Sequence, residues 1–261
     1  MAAPRIVRHP DPDALAVAVA DLLLARLGAI QAEGRIPAIA LTGGSIADAI
    51  HREVACAHRG LRRAPTPDVD WSMVDIWFGD ERFVPGDSPD RNVGQAAEAM
   101  LDHLPLDPAR VHAMPASDGE YGDDVDAAAD GYAGELERAA TSLGADGDPV
   151  HFDVLMLGIG PDGHCASLFP GRPEIDEQRP VVAVRNSPKP PPTRITLTLG
   201  PLNRADEVWW VAAGQEKAEA VRSALSGADP HQTPASGPQG LARTLWFLDA
   251  AAASHLSPDH S

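Results

Sequence analysis

The run FDVLMLGIG (152–160) is the most apolar stretch of the chain, and it limits what can be built around it. Read as a strand it offers no polar face, so it has to lie in the middle of a sheet covered on both sides. Other strand-like runs are IPAIAL (36–41), VDIWFG (74–79), a short VHAMP (111–115), RITLTLG (194–200), EVWWVAAG (207–214) and WFLD (246–249). Helical patterns alternate with them. Asp11-Pro12 supplies an N-cap and a first-turn proline for a helix through about Leu27, and further helices are expected near 46–58, 90–103, 124–142 and 215–226. In RITLTLG, Ile195, Leu197 and Leu199 fall on one face and the threonines on the other. This alternation predicts an α/β fold with an open, mostly parallel, doubly wound sheet, with residues 1–261 forming one domain. Such sheets bind ligands where strand carboxyl ends lead into helices.

Charge and composition exclude several classes. A net charge of −17 argues against a nucleic-acid partner, because phosphate backbones demand clustered cations. The chain has only two lysines, Lys189 and Lys217, against nineteen arginines, so an anionic substrate has to be met by a few placed cations. No apolar stretch reaches the ~18 residues of a membrane span. The opening MAAPRIVRHPDPDA lacks a signal core, which predicts a cytoplasmic protein. Cys56 and Cys165 are too few for a disulfide framework or a structural zinc site. Stretches 59–70, 116–123 and 227–240 read as surface connections. NSPKPPPTR (186–194) reads either as a plain linker or as a stiff strap fixing Lys189 and Arg194 at a site edge.

Three strand-to-helix junctions carry chemistry. LTGGS (41–45) lets backbone N–H groups turn toward an anion at a helix N-terminus, with Ser45 adding a hydroxyl; its bland reading is a tight turn. FGDER (78–82) sets Asp80 and Glu81 beside Arg82, either to orient an anionic ligand or as a surface ion cluster. GIGPDGH (158–164) matches G-x-G-x-x-G, but Asp162 would repel a pyrophosphate, and the better reading is a loop presenting Asp162 and His164 into a cleft. Histidine is suited to taking a proton near neutral pH. Cys165, adjacent to His164, does not face it, and neither G-x-S-x-G nor H-E-x-x-H occurs. General-base attack by water is the hydrolytic chemistry left. Lys217, early in a helix, meets either solvent or a phosphate.

LTGGS, WFGDERFVPGDSPDRN, FDVLMLGIGPDGHCASLFPG, NSPKPPPTRITLTLGPLNRADEVWWVAAGQEKAEAV and WFLDAAAAS together resemble the 6-phosphogluconolactonase family, in its order and over about residues 38–254. DGH is shared with related sugar-phosphate deaminases, whereas ASLFPG is typical of the lactonases. The resemblance implies the sugar-phosphate isomerase/deaminase fold and hydrolysis of a sugar-phosphate lactone in the pentose phosphate pathway. It implies no cofactor, and we expect a monomer with no nucleic-acid or membrane partner. It makes His164 the general base beside Asp162 and puts Gly43, Gly44, Ser45, Arg82, Arg194 and Lys217 around the sugar phosphate; of these we expect Arg82, or loop N–H groups, to meet the oxyanion at the carbonyl. The chain departs from the family pattern at Ile46-Ala47, where Thr-Pro is usual, and at Cys165, where Thr is usual. Two rivals are an isomerase or deaminase using Asp162 to move a proton between carbons, and a sugar-phosphate sensor without turnover.

Overall fold

The computed structural model describes residues 3–61, 68–142 and 151–257. Its strands are β1 (Arg5–His9), β2 (Ala38–Leu41), β3 (Asp75–Phe78), β4 (Asp80–Arg82), β5 (Val154–Gly158), β6 (Val181–Val184), β7 (Arg194–Leu197), β8 (Glu207–Ala212) and β9 (Arg243–Asp249). Its α-helices are α1 (Pro12–Ala32), α2 (Ser45–His58), α3 (Asn92–Ala99), α4 (Val125–Ser142), the single turn α5 (Leu199–Leu202) and α6 (Ala218–Leu225). Six strands form a parallel sheet in the order β1-β9-β8-β5-β2-β3.

The strands are apolar throughout because both faces are covered. Leu155 and Leu157 of β5, Val208 and Trp210 of β8, and Trp246 and Leu248 of β9 pack with Ala128, Tyr132 and Leu136 of α4 and with Val221 of α6. The alternate residues Val154, Met156, Trp209, Val211, Leu245 and Phe247 pack with Leu15, Val19, Leu23 and Leu27 of α1 and with Ile50 and Val54 of α2. Each fully buried large side chain contributes about 1.5–3 kcal/mol relative to exposure. Trp210 and Trp246 are register partners in β8 and β9, and their rings stack with centroids 4.6 Å apart. The doubly wound, mostly parallel sheet therefore follows from the residue pattern. Chain direction along the sheet reverses between β2 and β5, and their carboxyl ends carry Thr42-Gly43-Gly44-Ser45 and the loop to His164. This is the switch point at which open sheets bind ligands.

Several boundaries differ from expectation. β1 was not anticipated: RIVRH carries two arginines and a histidine, which suit a charged edge strand and hide its pattern. A second, antiparallel sheet, β4-β7-β6, is also additional, and it is made of strands too short to announce themselves. VHAMP forms no strand, only one bridge between Val111 and Ile76. The helix expected at 90–103 ends at Ala99, with a 3-10 turn at Leu101–His103. β7 ends at Leu197, and Leu199 opens α5 instead of continuing a strand face. Within the connection read at 59–70, residues 62–67 lie outside the described residues. Among the described residues no helix is long and apolar enough to cross a membrane.

Candidate active site

A cleft of about 320 Å³ opens at the switch point, within the range that encloses small ligands. Gly43, Gly44, Ser45, Arg82, His164, Arg194 and Lys217 all line it, joined by Asp80, Asn92, Lys189 and Glu216. Asp162 does not line the cleft; it stands behind the histidine ring. Two other surface clefts, of about 390 and 560 Å³, are larger. One lies along α2 and α3 and the other around Asp75, where β3 begins, and neither combines strand carboxyl ends with a glycine-rich turn.

The anion end is built by β2 and α2. Gly44 has φ +106°, a conformation open to glycine, and forms the N-cap without any side-chain cap. The first-turn N–H groups of α2 thus have no intrahelical partner and face the cleft mouth. Gly43 is required for another reason: a Cβ there would lie 2.1 Å from Asn92 Oδ1. Ile46, where the family pattern has threonine, lines the cleft and packs on the core under α2.

The acids of FGDER are framework. Glu81 is fully buried and accepts from the backbone N–H groups of Arg82, Asn92 and Val93, so it caps α3. Burial pushes its carboxyl above the ordinary range, against the pull of those N–H groups and Arg91. Asp80 accepts the Ser167 hydroxyl at 2.7 Å. The β4–β7 register sets Arg82 directly opposite Arg194, which delivers two guanidinium groups to one wall. Arg82 is anchored by one donated bond, Nη1 to the Asp90 carbonyl at 2.7 Å. Arg194 is committed more heavily. It is 4% exposed. It donates from Nε to the Pro191 carbonyl, from Nη2 to the Lys189 and Pro190 carbonyls, and from Nη1 to Ser167 Oγ. Burial lowers its pKa, as does Arg82, against the pull of Asp80.

The loop after β5 presents the histidine. Gly160 N–H donates to the His164 carbonyl and Gly163 N–H to the Gly160 carbonyl, closing a turn that requires φ +84° at Gly163. His164 Nδ1 lies 2.5 Å from Asp162 Oδ1, and its ring stacks on Phe169 with centroids 4.7 Å apart. An ionised carboxylate only accepts, so Nδ1 carries a hydrogen, and in the neutral ring the lone pair is on Nε2. Burial would raise the Asp162 carboxyl; the bond from His164, the charge the ring carries when it is protonated, and the charge of Lys189 outweigh it and hold the group well below the usual carboxylate range. Lys189, singled out in the sequence as one of two lysines and as a residue the proline-rich strap could fix at a site edge, comes within 3.4 Å of Asp162 Oδ1 and 3.3 Å of His164 Nδ1. Cys165 is fully buried, its backbone paired with Leu168, and burial pushes its thiol far up, so it presents no nucleophile.

Lys217 reaches the same cleft from the turn before α6. Burial lowers its pKa, and the charge of Lys189 lowers it further. In a chain of net charge −17 this concentrates cations at one spot, where an arriving dianion relieves their mutual repulsion. Among the described residues no group of three His, Cys, Asp or Glu side chains is arranged to hold a metal ion.

One substitution tests the local geometry. A Cβ at Gly160 would fall 1.9 Å from His164 Nδ1 and 2.4 Å from Asp162 Oδ1. Gly160→Ala is therefore expected to displace the imidazole and lower kcat by about 10²-fold or more, with a small change in melting temperature. An unchanged kcat would mean that the ring position does not matter.

The family model for glucosamine-6-phosphate isomerases/6-phosphogluconolactonase matches residues 10–246. The chain belongs to this family. Within it, the chain is 50% identical over 255 residues to the 6-phosphogluconolactonase of Streptomyces coelicolor, covering 97% of this chain and 95% of that one. It is 45% identical over 249 residues to the 6-phosphogluconolactonase of Mycobacterium tuberculosis, covering 95% and 96%. Among solved members, 6-phosphogluconolactonase from Trypanosoma cruzi superposes with a TM-score of 0.79 at 26% identity, covering 97% of each chain.

Proposed function

We propose that this family member hydrolyses 6-phosphogluconolactone to 6-phosphogluconate, with His164 as general base. The observation that carries the reading is the Asp162–His164 pair at the head of a cleft with an uncapped helix N-terminus, joined to 50% identity with a protein named for that activity. Nε2 of His164 takes a proton from a water as its oxygen bonds to the lactone carbonyl carbon. Asp162 holds the ring's tautomer and stabilises the imidazolium that forms. The carbonyl oxygen becomes an oxyanion, met by the guanidinium of Arg82. As the tetrahedral species collapses, the bond to the ring oxygen breaks, and that oxygen receives the proton from His164. The acid so formed ionises in water, and Nε2 is free again. The N–H groups of Gly43 and Gly44 in the turn and of Ser45 at the start of α2, together with Lys217, receive the phosphate and use its binding energy to place the carbonyl. Arg194 serves chiefly as the brace of the strap, since four of its five N–H donors go to protein acceptors.

The finer expectations, a monomer working in the cytoplasm, belong to this proposal; light scattering at one chain mass of 27.4 kDa tests the first. The deciding assay compares lactone opening above the spontaneous rate with ammonia release from glucosamine 6-phosphate. Catalysed lactone opening without ammonia is expected. Ammonia release without lactone opening would transfer the chain to the deaminase reading, in which Asp162 moves a proton between carbons.

A further inference from the structure

We propose that Lys189 is the counter-cation of Asp162, a positioning residue whose charge keeps the His164 imidazole neutral between turnovers. The inference rests on the reading of His164 as the base. A carboxylate alone beside a histidine favours the imidazolium, and an imidazolium has no lone pair with which to accept a proton from water. Here the same oxygen, Asp162 Oδ1, receives both the imidazole N–H at 2.5 Å and the Lys189 ammonium at 3.4 Å. The ammonium is also 3.3 Å from Nδ1, so a second positive charge on the ring would form almost in contact with the first. Asp162 thus still orients the ring, while its field is balanced by a cation from another segment.

The strap is built to hold that cation. The Ser187 hydroxyl donates to the Lys189 carbonyl and accepts the Lys189 N–H. Ser187 N–H donates to the Pro192 carbonyl, closing the strap on itself. Arg194 donates to the carbonyls of Lys189, Pro190 and Pro191. A solvated surface lysine has no use for a nearly buried arginine anchoring its own backbone. The other charged groups at this end of the cleft are Lys217 and Glu216 from the turn before α6, and Asp80, Arg82 and Arg194 from the β4–β7 pair, Asp80 being held by Ser167 and near Arg194. Lys217 and the arginines oppose a charge on the ring, and Glu216 and Asp80 favour it. Of the cations, Lys189 is the one in contact with the pair.

The test is an NMR titration of the His164 imidazole in wild type, Lys189→Met and Lys189→Arg, with the signal assigned by its loss in His164→Gln. Lys189 is partly exposed, so both variants are expected to fold. In Lys189→Met the titration midpoint should rise by about one pH unit or more, a tenfold gain in proton affinity. The acid limb of kcat/KM should move to higher pH with it. Lys189→Arg, which keeps the charge, should restore both to near wild type. A midpoint unmoved in Lys189→Met overturns the proposal, as does an equal rise in Lys189→Arg, or a limb that moves while the imidazole does not. The kinetics of His164→Ala test the base reading separately: if that variant stays active the base reading fails, whatever the titration shows.

Discussion

His164→Ala is expected to lower lactone turnover by about 10²–10⁴-fold, the usual cost of removing a general base. The loss should fall on kcat, because the helix N-terminus and Lys217 that receive the phosphate are untouched. The fold should survive. The His164 ring lies against Phe169 at the edge of a cleft, away from the strand interior, and Asp162 retains Lys189 at 3.4 Å once the imidazole is gone. Turnover has to be measured against the spontaneous opening of the lactone at the same pH, after circular dichroism has established folding. If the variant keeps more than half of wild-type kcat, His164 has no part in the chemistry.

A phosphate preference of comparable size should separate 6-phosphogluconolactone from glucono-1,5-lactone. One charge-assisted contact is worth about 1.5–3 kcal/mol, so losing it lowers kcat/KM by about 10- to 150-fold. Lys217→Ala should remove much of the preference, because no protein acceptor is found for its ammonium among the described residues. Arg82→Ala should lower activity on both lactones if its guanidinium meets the oxyanion, or the preference alone if it meets the phosphate. Arg194→Ala should act differently: by freeing the strap it should lower kcat on both substrates and leave their ratio close to wild type. The measurement is the ratio of kcat/KM for the two lactones at one ionic strength. Equal wild-type values would remove phosphate recognition from this cleft, and a ratio untouched by Lys217→Ala would move the anion site elsewhere.

The central sheet was legible because its strands are buried on both faces, so FDVLMLGIG and EVWWVAAG stand out against everything around them. The edge strand β1 and the small antiparallel sheet were not, since RIVRH, DER and VVAV are short, and their pairing depends on neighbours far away in sequence. The junctions LTGGS and GIGPDGH announced themselves through glycine and position. FGDER did so only in part: the spacing put two acids beside an arginine, but Glu81 spends both oxygens on the start of α3, a role set by a helix that begins at Asn92. Arg194 illustrates the same limit. A conspicuous arginine after a proline run looks like a ligand for an anion, and only the folded strap shows carbonyls already occupying three of its five donors. Lys189 was visible as a residue, but its partner was not, because the contact joins the strap to a loop twenty-five residues earlier.

Both of the chain's lysines line this one cleft, while the other nineteen basic side chains are guanidinium groups. A lactone is an acylating agent, and an amine that sheds its proton readily is the nucleophile that attacks its carbonyl, displacing the ring oxygen; a guanidinium stays protonated and inert. The side chains of this protein therefore offer an electrophilic sugar few places to attach. The most susceptible is Lys217, whose proton is already loosened, and an acyl group there would block the entry of the next substrate molecule. Amine-directed reagents should likewise find no lysine side chain outside the cleft, so lysine labelling reads out its occupancy.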